Sequence, residues 1–397
     1  MKIHFKSHRK KSWPANALLY NISKLWYRRD PRLWVFGTHE GMKYDDNARY
    51  LFEHVNREHG QEIRCVWLAA NEGVADTVRK TGGEAYTFDS EEGRKTARRA
   101  GVAIYTNGLD DFGPWPKTGG AKLVFLGHGV GFKQTYNAKY SGTALIIKKM
   151  MDKIFSWIQR DLTIATSEFN KSQRISIASL PSHANIAITG QPRNDIFRQQ
   201  GLREKVFKAL GLHDDQHLIL YLPTYRNQDT GNDSLKNIIL NLCNSTELHD
   251  VLVKTDSMFV AKLHPLTPSF DIPENDRFRI MNYQEVESNQ ELLAAGDILV
   301  TDYSSVCVDF SLLQRPVIFY LPDKDTFTKN SEAVSDEFYA ICKENECFTP
   351  AQLSSLISNP SLSATDAINA LFESPGIKGS CYSENVFQTI NQLFCQQ

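Results

Sequence analysis

Nine short apolar runs, each closing at a turn and separated from the next by a helix-length connector, limit what this chain can become. The first series is 33–37 (LWVFG), 63–69 (IRCVWLA), 102–106 (VAIYT), 122–126 (KLVFL) and 162–166 (LTIAT), with helical patterns such as 46–58 and 91–100 between them. After a Gly/Pro-marked junction at Gly190–Pro192 the pattern restarts at 217–222 (HLILYL), 258–263 (MFVAKL), 297–301 (DILVT) and 316–320 (PVIFY), and 349–395 reads as helices. Runs joined by long connectors pair in parallel through crossover helices rather than as hairpins. The expected fold is therefore α/β, with two Rossmann-like domains facing each other across a cleft, and 397 residues suit two cores. The expected boundaries are a basic amphipathic segment over 1–32, domains over 33–192 and 193–348, and a helical tail over 349–397. Such domains bind ligands in the cleft, at the carboxyl ends of strands.

The net charge of −1 excludes a polyelectrolyte binder, and no nucleic-acid partner is expected. Charge is nevertheless uneven, with nine Lys/Arg against the single Asp30 between Met1 and Arg32. Within that stretch, 16–29 (NALLYNISKLWYRR) places Leu18, Leu19, Ile22, Leu25 and Trp26 on one helical face. A basic helix with Trp and Leu on its apolar side suits an anionic membrane surface; packing on the first domain is the alternative. No run approaches the ~20 apolar residues of a spanning helix, and no signal-peptide core is visible. The seven cysteines form no CxxC pair, which points to a reducing compartment. The expected location is the cytoplasm, peripheral on a membrane surface.

Five stretches place reactive side chains at strand ends. In 297–322 (DILVTDYSSVCVDFSLLQRPVIFYLP) a strand ends at Thr301-Asp302, and Ser304 and Ser305 come next, where a helix begins. Free N–H groups there can hold phosphate, or a serine can simply cap the helix. In 259–265 (FVAKLHP) Lys262 and His264 share one face of a strand end. In 124–133 (VFLGHGVGFK) glycines flank His128, letting backbone approach a ligand, or forming a plain βα turn. TGQPRND (189–195) and YLPTYR (221–226) deliver Arg193 and Arg226, side chains that match phosphate oxygens. The acid pairs Asp45-Asp46 and Asp110-Asp111 lack a distinctive ligand pattern, so no metal site is assigned. Phosphate-loop, HExxH and GxSxG motifs are absent.

Together these stretches resemble the CDP-glycerol glycerophosphotransferase family of teichoic-acid primases and polymerases, most strongly over 184–323. TGQPRND resembles its Gly-x-Pro-Arg-Asn-Asp, YLPTYR its Pro-Thr-(aromatic)-Arg, KLHP its Lys-x-His-Pro, and TDYSSVCVDFSLLQRPVIFY its Thr-Asp-Tyr-Ser-Ser segment. FGTHEGMKYDDNARYLFEHV and GHGVGFK match more loosely. Where the family usually has Trp-His-Gly-Thr-Pro, this chain has Gly127-His128-Gly129-Val130-Gly131, and the family's later Arg-Gly element is not found in 324–340. The long extra domain of many polymerases is also missing, which favours a primase-like single addition.

The resemblance implies a GT-B type architecture. It further implies transfer of a polyol phosphate from a CDP-polyol, glycerol first, to a hydroxyl of a lipid-linked glycan or polymer acceptor, with CMP leaving. It implies His128 and His264 as the functional histidines. Arg193, Arg226, Lys262, Thr301, Asp302, Ser304 and Ser305 are assigned to the donor, and Gly129 and Lys133 to the acceptor. We read His128 as the base near the acceptor, with His264 and Lys262 against the pyrophosphate, although the two histidines can exchange roles. No cofactor beyond the CDP-polyol co-substrate is assigned, and metal dependence is left open. Two rivals share the sequence: a GT-B glycosyltransferase using a nucleotide sugar, and a non-catalytic nucleotide- or lipid-binding adaptor.

Overall fold

All nine apolar runs form strands, and four short strands join them. The computed structural model describes residues 22–24, 27–113, 118–132, 142–143, 160–177, 185–226, 232–264, 267, 272, 275–281, 285–286, 288–330, 334–343 and 345–395. The first sheet contains β1 (Asp30–Gly37), β2 (Arg64–Ala69), β3 (Glu84–Thr87), β4 (Ala100–Tyr105), β5 (Lys122–Phe125), β6 (Leu162–Ala165) and β7 (Ile186–Ile188). The second contains β8 (His217–Leu222), β9 (Ser257–Lys262), β10 (Phe278–Met281), β11 (Ile298–Thr301), β12 (Val317–Tyr320) and β13 (Glu346–Cys347).

The strand orders are β3-β2-β1-β4-β5-β6-β7 and β10-β9-β8-β11-β12-β13. Every pairing between these strands is parallel. Each sheet therefore reverses its winding once, between β1 and β4 in the first and between β8 and β11 in the second. That is the Rossmann arrangement, and ligand sites form outside the strand ends at such a switch point. The four unannounced strands, β3, β7, β10 and β13, are the four sheet edges. Their backbones pair on one side only and their side chains are less completely buried, so their sequences (EAYT, IAI, FRIM, EC) carry no continuous apolar run.

Contacts divide the described residues into two units. One draws on Met1–His128, Tyr136–Asp195 and Ser374–Gln397, the other on Gly129–Thr135 and Ile196–Glu373. The helices that shape the strand ends and close the two cores are α1 (Asp46–His59), α2 (Val306–Ser311), α3 (Pro350–Ser358), α4 (Ser363–Phe372) and α5 (Tyr382–Phe394). The stretch 349–397, expected as one tail, is divided. Leu353 and Ile357 of α3 join the core of the second unit, whereas Val386, Phe387 and Ile390 of α5 join the core of the first. The i, i+1, i+4 spacing of those three α5 residues gives one apolar stripe. It meets the sheet beside Ala48, Leu51, Phe52 and Val55 of α1. Burying each such side chain is worth about 1.5–3 kcal/mol.

Of the basic helix expected over 16–29, only 22–24 and 27–29 fall among the described residues, and 22–24 are helical. No helix among the described residues is long and apolar enough to cross a membrane. All seven cysteines are free thiols.

Candidate functional site

In the first unit, β5 runs into Gly127-His128-Gly129. Both glycines have positive φ (+74° and +76°). Such φ values strain any residue with a Cβ, and on Gly127 that Cβ would also lie 2.5 Å from the Arg174 guanidinium. The turn lifts His128 outward, its side chain 57 % exposed, while its Nδ1 contacts Asp46 Oδ2. Asp46 opens α1 with φ of 61° and is buried. Its Oδ1 accepts hydrogen bonds from Arg193 (2.9 Å) and from the backbone N–H of Asn47 (2.8 Å). Asn47 ties the same parts together: its Nδ2 donates to the Gly127 carbonyl (3.0 Å) and its Oδ1 accepts from Arg193 N–H (3.2 Å).

Burial alone would raise the Asp46 carboxyl, but Arg193 and His128 outweigh it and hold Asp46 well below the usual carboxylate range. A fixed anion on Nδ1 makes Nε2 the nitrogen His128 presents to solvent, the arrangement of an oriented general base. His39, just beyond β1, sets its ring edge-on 5.1 Å from that of His128. Burial lowers its pKa and the Asp46 charge only partly restores it, so His39 favours the neutral form. The β1 and β4 ends are drawn together by Asp111, which accepts from the N–H groups of Glu40 (2.8 Å), Asn107 (2.9 Å) and Thr106 (3.2 Å). Nearby, burial and then the charges of Arg160 and Arg193 push Arg174 down to about 10. Cations crowded this way favour an anionic ligand.

In the second unit, the loops after β8, β11 and β12 meet around Arg226. Its NH2 lies 2.8 Å from Asp302 Oδ2, its Nε 3.0 Å from Asp323 Oδ2, and its NH1 2.8 Å from the Thr224 carbonyl. Asp302 Oδ1 in turn accepts from the backbone and hydroxyl of Thr224 (2.8 and 2.5 Å), and Thr301 donates its hydroxyl to the Leu222 carbonyl (2.7 Å). Arg226, Thr301 and Asp302 are all buried. Lys262 is buried too, its ammonium 2.8 Å from the Val286 carbonyl. These four therefore brace the strand ends. His264, Ser304 and Ser305 reach the surface beyond them. His264 lies 5.2 Å, ring to ring, from Tyr225. Ser304 Oγ accepts from Val306 N–H (3.4 Å) at the start of α2, and Ser305 is its N-terminal flanking residue.

Gly129 itself groups with the second unit, because the loop after it is anchored there. Phe132 packs on Phe338 and Phe372, its carbonyl accepts from Ser335 N–H (2.8 Å), and a Cβ on Gly131 would meet that of Ser305 at 2.9 Å. The chain thus passes from one unit to the other directly after His128. Lys133 lies outside the described residues.

The structure brings His128 and Arg193 together in the first unit and gathers Arg226, Lys262, His264, Thr301, Asp302, Ser304 and Ser305 in the second. Arg193, assigned to the donor by the sequence, pairs with Asp46 and Asn47 at the start of α1. Two residues of the first cluster escaped the sequence reading. His39 is inconspicuous within FGTHEGMKYDDNARYLFEHV, and Asp46 stands in the sequence only as half of an acid pair. The available signal was the position of each beyond a strand end.

Comparison with known proteins supplies the family. The family described as CDP-Glycerol:Poly(glycerophosphate) glycerophosphotransferase matches residues 19–360. The chain belongs to this family. It is 30 % identical over 306 residues to a teichoic acid poly(glycerol phosphate) polymerase of Bacillus subtilis, covering 74 % of this chain and 39 % of the relative. A polymerase of the same description from Staphylococcus epidermidis is 25 % identical over 333 residues, 78 % of this chain and 43 % of its own length. This glycerophosphotransferase-family chain thus spans less than half the length of those curated relatives. Among solved structures, the wall teichoic acid polymerase TagF superposes with a TM-score of 0.73 at 20 % identity, covering 96 % of this chain and 93 % of that one. That likeness carries the fold, two Rossmann-like units of the GT-B type.

Proposed function

We propose that the chain transfers a polyol phosphate, glycerol phosphate first, from a CDP-polyol to a hydroxyl of a membrane-linked teichoic-acid-like or capsule polymer acceptor, releasing CMP. The acceptor oxygen attacks the β-phosphorus in line, a P–O bond forms, and the bond to the bridging oxygen breaks with its electron pair leaving on CMP. Such displacement depends on positioning and charge neutralisation. His128 accepts the hydroxyl proton at Nε2, oriented by Asp46, which Arg193 holds in place. His264, Ser304 and Ser305 meet the donor phosphates. Arg226, Asp302, Thr301 and Lys262 hold the loops that present them. Gly129 and Lys133 lie toward the acceptor.

The observation that carries this reading is the exposed His128 seated on a buried, ionised Asp46 in a chain of this family. Thermal stabilisation tests the donor. CDP-glycerol at 100 times its dissociation constant stabilises by about 2.7 kcal/mol. CMP and one CDP-polyol are expected to raise Tm while UDP and UDP-sugars leave it unchanged. A rise with a nucleotide sugar alone would replace this reading with sugar transfer.

The basic segment before β1 supports attachment to the inner face of the cell membrane, where a lipid-linked acceptor lies. Removing residues 1–28 is expected to weaken binding to anionic liposomes at low salt and to leave little further weakening at high salt. Equal binding by both proteins would remove the membrane role.

A further inference from the structure

Away from His128, α1 and α5 carry a second group of ligating side chains. His54 and His59, both on α1, direct their Nε2 atoms to the same oxygen of Glu384 on α5, at 2.8 and 2.9 Å. The three donor atoms lie within 4.8 Å of one another. The other Glu384 oxygen accepts from Gln388 (2.6 Å), and the His59 ring stacks on Phe387 at 3.6 Å. We propose that His54, His59 and Glu384 form a zinc-class divalent cation site that clamps α5 onto α1.

The donor set is right for such an ion. Two imidazoles and a carboxylate suit Zn²⁺, with water in a remaining position. Ligands ~2.1 Å from a tetrahedral ion sit about 3.4 Å apart, so each imidazole–carboxylate spacing opens by about 0.6 Å on binding. Ligation moves each imidazole proton from Nε2 to Nδ1. For His54 that nitrogen already faces Cys381 Sγ at 4.0 Å, which can accept it. The side chains are 10 %, 18 % and 34 % exposed, so an ion enters from one side and is partly sheltered.

Location provides a purpose. Asp195, the last first-unit residue before the chain enters the second unit, accepts from the N–H groups of Tyr382 and Ser383 (both 2.7 Å) at the start of α5. Gly190, with φ of +80°, lies where a Cβ would strike the Tyr382 ring at 2.2 Å. Outgoing and returning segments are thus tied at the head of α5, and the cation fastens that same first turn, through Glu384, to α1. The other metal-capable group among the described residues, His39, Asp46 and His128, differs in one respect. Its carboxylate already holds the Arg193 guanidinium, a fixed positive charge that repels a cation.

The test uses the full chain, first stripped with a chelator, and Zn²⁺ or Co²⁺ as probe. Calorimetric titration at pH 7.5 is expected to find one equivalent of Zn²⁺ bound, with a rise in Tm and greater amide-exchange protection in α5. Binding is expected to weaken at least tenfold in acid, because protons compete with the ion for the imidazole nitrogens and the carboxylate. His59→Gln and Glu384→Gln are expected to abolish the Tm rise, while His39→Gln retains it. Co²⁺ bound to the unaltered protein is expected to broaden the imidazole proton signals of His54 and His59 and not that of His39, a readout independent of any variant's folding. No bound equivalent, binding retained by both His59→Gln and Glu384→Gln, or broadening centred on His39 would each overturn the proposal.

Discussion

His128→Ala is expected to lower kcat by about 10²–10⁴-fold, the contribution of a positioned general base, with little change in KM. The fold should survive, because the side chain is largely exposed and Asp46 keeps Arg193 and the Asn47 N–H as partners. Steady-state kinetics with CDP-glycerol, beside a thermal melt, separate the two effects. Turnover within threefold of wild type would sink the assignment.

Asp46→Asn is the companion variant, and it should behave differently. Removing that charge strands Arg193 in a buried site, a loss of about 3–5 kcal/mol, and frees the His128 ring to turn. Because the Asp46 pKa is depressed in the folded protein, its contribution to stability is complete above the ordinary carboxylate range. It disappears only as pH falls through the folded value. Asp46 therefore stays ionised at any pH suited to assay.

Arg226→Met should be the most destabilising single change at the second unit's strand ends, by about 3–5 kcal/mol in denaturant unfolding. It leaves Asp302 and Asp323 buried with no counter-charge, their side chains 1 % and 9 % exposed. Donor-dependent stabilisation should vanish with it, since the loops carrying His264, Ser304 and Ser305 lose their brace. Adding Asp302→Asn should recover part of the lost stability by removing one stranded charge, a rescue that a simple loss of ligand contact would not show. A single variant within 1 kcal/mol of wild type would mean that the guanidinium does not hold these loops.

How far the chain could be read from its residues depended on which side of a strand was covered. Strands flanked on both sides must be apolar throughout to bury both faces, so LWVFG or DILVT announce themselves. β3, β7, β10 and β13 have one neighbour each, tolerate polar side chains, and are indistinguishable from loops as EAYT or EC. The α5 stripe of Val386, Phe387 and Ile390 said that a helix would be buried. It could not say against which sheet.

The same division runs through the candidate sites. Local chemistry exposed His128, because two glycines around a histidine at a strand end mark an unusual backbone, and it exposed Ser304 and Ser305 as residues at a helix start. Strand-end position picked out His264 and Arg226, and the family motifs reinforced both. The partners stayed hidden. Asp46 is 82 positions from His128 and 147 from Arg193 along the chain. Arg226 is 76 from Asp302 and 97 from Asp323. Whether an arginine touches phosphate or is spent on buried carboxylates depends on burial and counter-charge, and both arise only when distant strand ends converge. Short-range periodicity and backbone sterics were enough to reveal the parallel α/β class, the two series of strands and the strand ends that carry chemistry. That Asp46 contacts His128, that Arg193 and Arg226 pair with buried carboxylates, and that α5 returns to the first unit come only from the folded chain, because those are long-range pairings whose energy depends on what desolvates them.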